Sequence, residues 1–242
     1  GLDALALGKI TKVVGLIAEG QGIKAPLGSV CHLLPDAESN TEPIAAEVVG
    51  FRGGACLFMP YGELRGVSPG CLIRNTSAPP HMPVGEALLG RTVDAFGEPL
   101  DALGPFIPES FRPLFGEPPN PMLRPRISEP LDVGVRAING LLTLGKGQRV
   151  GIMAGSGVGK STLLGMMARY TKADVNVIGL VGERGREVLE FIEKDLGPEG
   201  MARSVVVCAT SDHSPLVRMR AAFAATTVAE YFRDQGADVL LM

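Results

Sequence analysis

The sequence predicts an α/β chain: a small N-terminal β-barrel, then a domain built on a parallel sheet. Three observations predict it. Short apolar segments separated by turn residues crowd the first third of the chain, the pattern of a small barrel or sandwich. From Leu131 onward, apolar runs alternate with stretches of helical spacing, as in parallel strands joined by right-handed crossovers. Between one such run and one such helix lies a glycine-rich loop ending in Lys160-Ser161-Thr162. We read residues 1–77 as the barrel, 78–130 as a proline-rich connector and 131–242 as the sheet domain.

In the barrel region the candidate strands are Leu7–Leu16, Ser29–Leu34, Ile44–Phe51, Ala55–Met59 and Cys71–Thr76. Arg52-Gly53-Gly54 is a tight hairpin signal between the third and fourth. Nothing in this region has catalytic spacing, so it reads as an assembly or packing module. Twelve of the 19 prolines then fall between Pro79 and Pro130, which forbids a central strand or a long helix there. An extended connector over the surface is expected, with a short β element near Leu88–Val93.

In the sheet domain, Arg149–Met153 is expected as a short apolar strand and Lys160–Thr171 as a helix with Leu163, Leu164, Met167 and Tyr170 on one side. Asp174–Val181 is nearly all apolar, as a parallel strand covered on both faces should be. Arg186–Leu196 is a helix closed by Gly197-Pro198, and Arg203–Thr210 is another buried strand. Ser214 caps a long helix with Pro215 in its first turn, running to Gly236, and Val239–Met242 opens a further strand.

Composition narrows the function classes. Hydrophobic residues make up 45% and charged residues 20%, which excludes a disordered chain. A net charge of -3 argues against nucleic acid as partner. Cys31, Cys56, Cys71 and Cys208 are scattered, as free thiols of a reducing compartment are. No charged, apolar-cored leader opens the chain, so a cytoplasmic location is expected. His32, His81 and His213 are too far apart to suggest a metal site.

The chemistry is concentrated in two motifs. In Ala154-Gly155-Ser156-Gly157-Val158-Gly159-Lys160-Ser161-Thr162 the glycines let successive backbone N–H groups point into one concavity, and the following helix adds its dipole. Residues 155–162 are therefore the expected phosphate cradle, with Lys160 reaching the β- and γ-phosphates and the Ser161 hydroxyl binding Mg²⁺. Ala154 stands where the strict pattern has glycine. The second motif, Val181-Gly182-Glu183-Arg184-Gly185-Arg186-Glu187-Val188, follows the next buried strand and so falls at its carboxyl end, where open α/β sheets bind ligands. A carboxylate there can orient the water that attacks a γ-phosphate. Arg218 and Arg220, two apart on the long helix, point to different faces and read as solvated or inter-subunit groups.

Together these motifs resemble the export ATPases of bacterial flagella and type III secretion, relatives of the catalytic subunit of rotary ATP synthases. The resemblance continues through Gly134-Val135-Arg136-Ala137-Ile138-Asn139-Gly140, Ser211-Asp212-His213-Ser214-Pro215 and Ala229-Glu230-Tyr231-Phe232-Arg233-Asp234, and covers essentially the whole chain. Gly185 and Val188 match the export group rather than the rotary synthase, which usually has Thr and Gly there. The transcription-termination helicase has a similar core but carries Pro-Glu-Glu at the second motif, and it would need an RNA-binding barrel with exposed aromatics.

The resemblance implies a barrel followed by a RecA-like P-loop nucleotide-binding domain, incomplete within these 242 residues. It implies ATP and Mg²⁺ as ligands, Glu183 as catalytic carboxylate, Lys160 on phosphate, Arg184 beside the γ-phosphate, and Ser161 with Glu187 (through metal-bound water) at the metal. It implies a homo-hexamer that works with stalk and regulator proteins, export substrates and chaperones. It places the protein at the cytoplasmic membrane's inner face, peripheral to the export gate. A flagellar role is favoured over a virulence-type one. The reading of another class is a nucleotide-binding or assembly fragment without turnover. The Walker-B Asp is expected just beyond Met242, followed by an arginine finger, so poor hydrolysis by residues 1–242 alone is the expectation.

Overall fold

The computed structural model describes residues 7–35, 42–76, 79–155 and 157–242. It divides into two compact units, Gly1–Pro80 and His81–Met242.

The first unit is a closed six-stranded barrel. Its strands are β1 (Leu7–Val14), β2 (Ile17–Gln21), β3 (Val30–Leu34), β4 (Ile44–Arg52), β5 (Ala55–Pro60) and β6 (Leu72–Asn75), in the order β1-β2-β5-β4-β3-β6. Alternation puts Ile10, Ala18, Cys31, Leu33, Ala46, Val48, Phe58 and Ile73 inside, each almost wholly buried. The expected strand Leu7–Leu16 stops earlier, at Val14. Gly15, at φ 59°, turns the chain into β2, a strand the sequence reading omitted. Arg52 and Ala55 pair across Gly53-Gly54, forming the expected hairpin.

In the second unit, β7 (His81–Val84) pairs with β9 (Ser110–Pro113), and between them lies β8 (Thr92–Val93). Then come β10 (Pro130–Leu131), α1 (Arg136–Leu141), β11 (Leu144–Gly145), α2 (Lys160–Tyr170), β12 (Val175–Val181) and α3 (Gly185–Glu190). A π-helical segment Phe191–Leu196 continues α3, and α4 (Gly197–Ala202), β13 (Ser204–Ala209), α5 (Pro215–Asp234) and β14 (Val239–Leu241) follow. The parallel sheet runs β14-β12-β13-β8. On one face Ile178, Leu180, Val206 and Cys208 pack with Ala168, Phe191 and Leu196. On the other, a Cβ built at Gly179 would lie 3.3 Å from Ala225 of α5, so small residues let that helix sit close.

Two expectations are corrected here. The short β element expected near Leu88–Val93 is present as β8, but the rest of the proline-rich stretch is not only a surface connector. Thr92 and Val93 are buried and ladder onto β13, and Met82, Val84 and Leu88 are fully buried. Arg91 clamps the following turn through a two-pronged ion pair to Asp101, at 2.7 and 2.9 Å. Arg149–Met153 forms no strand. An apolar run needs a laddered neighbour to be a strand, and β14 pairs only with β12, over three residues. Val150, Ile152 and Met153 instead line an apolar cavity of about 640 Å³ together with Leu240 and Leu241.

All four cysteines are buried, and none forms a disulfide. Among the described residues no helix is long and apolar enough to cross a membrane.

Candidate nucleotide site

The site grows from two loop–helix passages, the second of which leaves β12. At the first, α2 begins at Lys160 with Gly159 as its N-cap residue, in the left-handed region at φ 94°. A residue with a Cβ resists that conformation, and Gly157 has φ 75° as well. No side chain caps this helix end. The contrast with α5 is informative, because there the Ser214 hydroxyl accepts a hydrogen bond from the Val217 N–H. The first turn of α2 thus keeps backbone donors and the positive end of its dipole for an outside acceptor.

At the second passage, Gly182 leaves β12 at φ 78°, and its N–H bonds the Ala209 carbonyl at 2.7 Å. The Ser211 N–H donates to the Glu183 carbonyl at 2.9 Å, tying this loop to the one that follows β13. Arg184 is the N-cap residue of α3, and its guanidinium meets the Glu187 carboxylate at 3.2 Å.

The two passages share one cleft of about 490 Å³. It is lined by Ala154, Gly155, Gly157, Gly159, Lys160, Ser161, Thr162, Gly182, Glu183, Arg184 and Glu187. The Lys160 ammonium stands 3.6 Å from the Glu183 carboxylate across it, both groups about one-third exposed or more. A cation, a helix N-terminus and a partly exposed counter-charge facing one open cleft make a site for a polyanion next to a carboxylate.

The predicted site residues are therefore largely brought together. Val158 is the exception: it is 68% exposed and lines no part of the cleft. Ser156 lies outside the described residues. The sequence reading did not assign Gly182 or Ala154 to the cleft, nor did it foresee the bond from Ser211 to Glu183. The glycine following an apolar strand was the available signal for Gly182. Arg220, expected as a solvated or inter-subunit group, is buried within the chain. Its Nε donates to the Ala95 carbonyl and Nη2 to that of His81, with the guanidinium over the Phe96 ring. These carbonyls, at the start of β7 and in the turn after β8, are distant in sequence, which is why spacing along one helix misplaced it.

Comparison with known proteins follows the same lines. Residues 134–242 match the ATP synthase alpha/beta family, nucleotide-binding domain. The flagellum-specific ATP synthase of Bacillus subtilis is 53% identical over 237 residues, covering 97% of this chain and 53% of that protein. The type 3 secretion system ATPase of Xanthomonas euvesicatoria is 51% identical over 235 residues, covering 97% and 53%. The solved structure of the assembled ATPase EscN, from the type III secretion system of enteropathogenic E. coli, superposes with a TM-score of 0.87 at 44% identity, covering 97% of this chain and 56% of that one. The chain thus spans about half the length of the relatives it matches.

Proposed function

We propose that this chain, whose residues 134–242 match the nucleotide-binding domain of the ATP synthase alpha/beta family, belongs to the flagellar and type III secretion side of that family and serves Mg-ATP hydrolysis that drives or primes flagellar protein export. The observation that carries the reading is the Lys160–Glu183 pair across the shared cleft. In this reading the triphosphate enters at the open end of α2, and Lys160 turns from Glu183 to the phosphates. That move frees the Glu183 carboxylate to accept a hydrogen bond from water beside the γ-phosphate and to orient it for in-line attack. Arg184, on the same edge, neutralises charge developing on the γ-phosphate.

The donors fit Mg²⁺. Ser161, Glu183 and Glu187 present hard oxygens to one cleft, and Mg²⁺ takes such oxygens together with those of phosphate. Ser161 would hold the ion and Glu187 would act through its bound water. When bound, the ion draws charge off the phosphate oxygens.

The flagellar role takes support from relatives named flagellum-specific ATP synthase at 53% identity in Bacillus subtilis and 50% in Salmonella typhimurium. The neighbour EscN is described as assembled, and also in complex with its central stalk EscO. On that footing we assign this protein a homo-hexameric state, a stalk partner, export substrates with their chaperones, and a peripheral place at the export gate.

Phosphate release with Mg-ATP by the full-length protein tests the proposal. Turnover should depend on Mg²⁺ and fall by roughly 10²–10⁴-fold in Glu183→Gln, the range for loss of one general base. Undiminished turnover in that variant would overturn the role given to Glu183.

A further inference from the structure

The two helices that begin at the cleft are locked together far from it. A Cβ built at Gly165, in the middle of α2, would lie 2.5 Å from the Asp195 carbonyl oxygen and 2.7 Å from its carbon. That approach is possible only because residue 165 has no side chain. One turn later, Arg169 donates through Nη1 to the carbonyls of Lys194, at 3.3 Å, and of Asp195. Those carbonyls belong to the π-helical continuation of α3, and π-helical turns are uncommon and frequently sit near functional sites. The stem of Arg169 runs past Gly200, where a Cβ would come within 3.1 Å of its Cγ. Its Nε is buried with no hydrogen-bond partner. A residue selected only to fill this space would not carry that unanswered donor. The end of α2 is held in turn by Arg203, whose guanidinium donates to the carbonyls of Ala168, Arg169, Thr171 and Ala173.

Resting on the hydrolytic reading of the cleft, we infer that Arg169 is a positioning residue that sets where the Glu183–Arg184 edge stands relative to Lys160. The geometry is that of two rods clamped at one end. The helix α2 carries Lys160 at its first position, and α3 begins directly after Arg184. Helices are stiff, so a shift at the Arg169 clamp reappears at the cleft, while the phosphate loop itself, built from its own glycines, stays intact.

The test uses the full-length protein, amide hydrogen exchange and the binding of Mg-ATP and Mg-ADP. In Arg169→Met, which keeps the stem against Gly200, amides of residues 185–196 should exchange at least about tenfold faster, with those of β12 and β13 unchanged. The preference for ATP over ADP should fall severalfold at constant ADP affinity, and Arg169→Lys should recover part of both effects. Gly165→Ala, which disturbs the same seam by a different route, should give the same pattern. Wild-type exchange and wild-type preference in Arg169→Met would overturn the inference. So would faster exchange without a changed preference, or uniform loosening of the whole sheet, because either marks a merely structural residue. If the unaltered chain binds no nucleotide, the hydrolytic reading fails on its own. The exchange arm then still decides whether Arg169 holds the second-motif helix.

Discussion

The Lys160 ammonium and the Glu183 carboxylate lie 3.6 Å apart, although they stand 23 positions apart in sequence. They meet because the phosphate loop at the start of α2 and the loop that leaves β12 line the same cleft. Exposed as it is, the pair contributes little to stability. Its interest lies in being replaceable: phosphate competes for the lysine, and the carboxylate is released when phosphate wins.

That exchange predicts opposite signatures for the two partners. Lys160→Ala should weaken Mg-ATP binding by about tenfold or more, one charge-assisted contact being worth roughly 1.5–3 kcal/mol. Glu183→Gln should leave binding within a few-fold of wild type, or tighten it, since a competitor for Lys160 is gone. Equilibrium titration with a fluorescent nucleotide reads both.

Gly159→Ala isolates the backbone cost of the phosphate loop. Nothing lies within 4 Å of the added methyl group, so the penalty comes from φ 94° alone. The expected loss is about 1–2 kcal/mol, or a decrease of a few degrees in unfolding temperature, with weaker nucleotide binding. Thermal unfolding with and without Mg-ATP separates the two effects.

Ser214→Ala removes the one oxygen that caps α5. The unfolding free energy should fall by about 1 kcal/mol. The cleft should keep its nucleotide affinity, because α2 has no side-chain cap to lose.

Asp101 gives a pH signature. Chiefly the Arg91 hydrogen bond, helped by the backbone N–H groups of Thr92 and Leu103, holds its carboxyl down at about 2, against an ordinary value of 3.8. Between those values the unfolded chain binds the proton and the folded chain does not. The pair's stabilisation is therefore complete above about pH 4 and is lost as pH falls toward 2. Denaturant unfolding of wild type and Asp101→Asn across this range should show the Asp101 contribution to the slope disappear in the variant.

The sequence carried what depends on local pattern. Alternation in Ile44–Phe51 and Ala55–Met59 placed those strands, and Ser214-Pro215 placed the start of α5. The cleft was legible because both motifs directly follow apolar runs and each opens a helix. What was not legible depends on distant partners. Arg149–Met153 has strand composition but no ladder to join. Arg220 is buried because the carbonyls of Ala95 and His81 reach it from more than a hundred residues away. The β2 strand was missed for a local reason: Gly15 was read as part of a strand instead of as the turn that ends one.

The burial of the cysteines makes the chain its own integrity gauge. Cys31, Cys56 and Cys71 sit in the barrel and Cys208 in β13, and burial pushes the Cys31 and Cys208 thiols up to about 11. Thiolate is the reactive form, so the folded protein should be nearly silent to alkylating reagents at neutral pH. Mass spectrometry of trapped thiols would then report opening of either unit separately: three tags for the barrel, one for the sheet, with no label added by mutation.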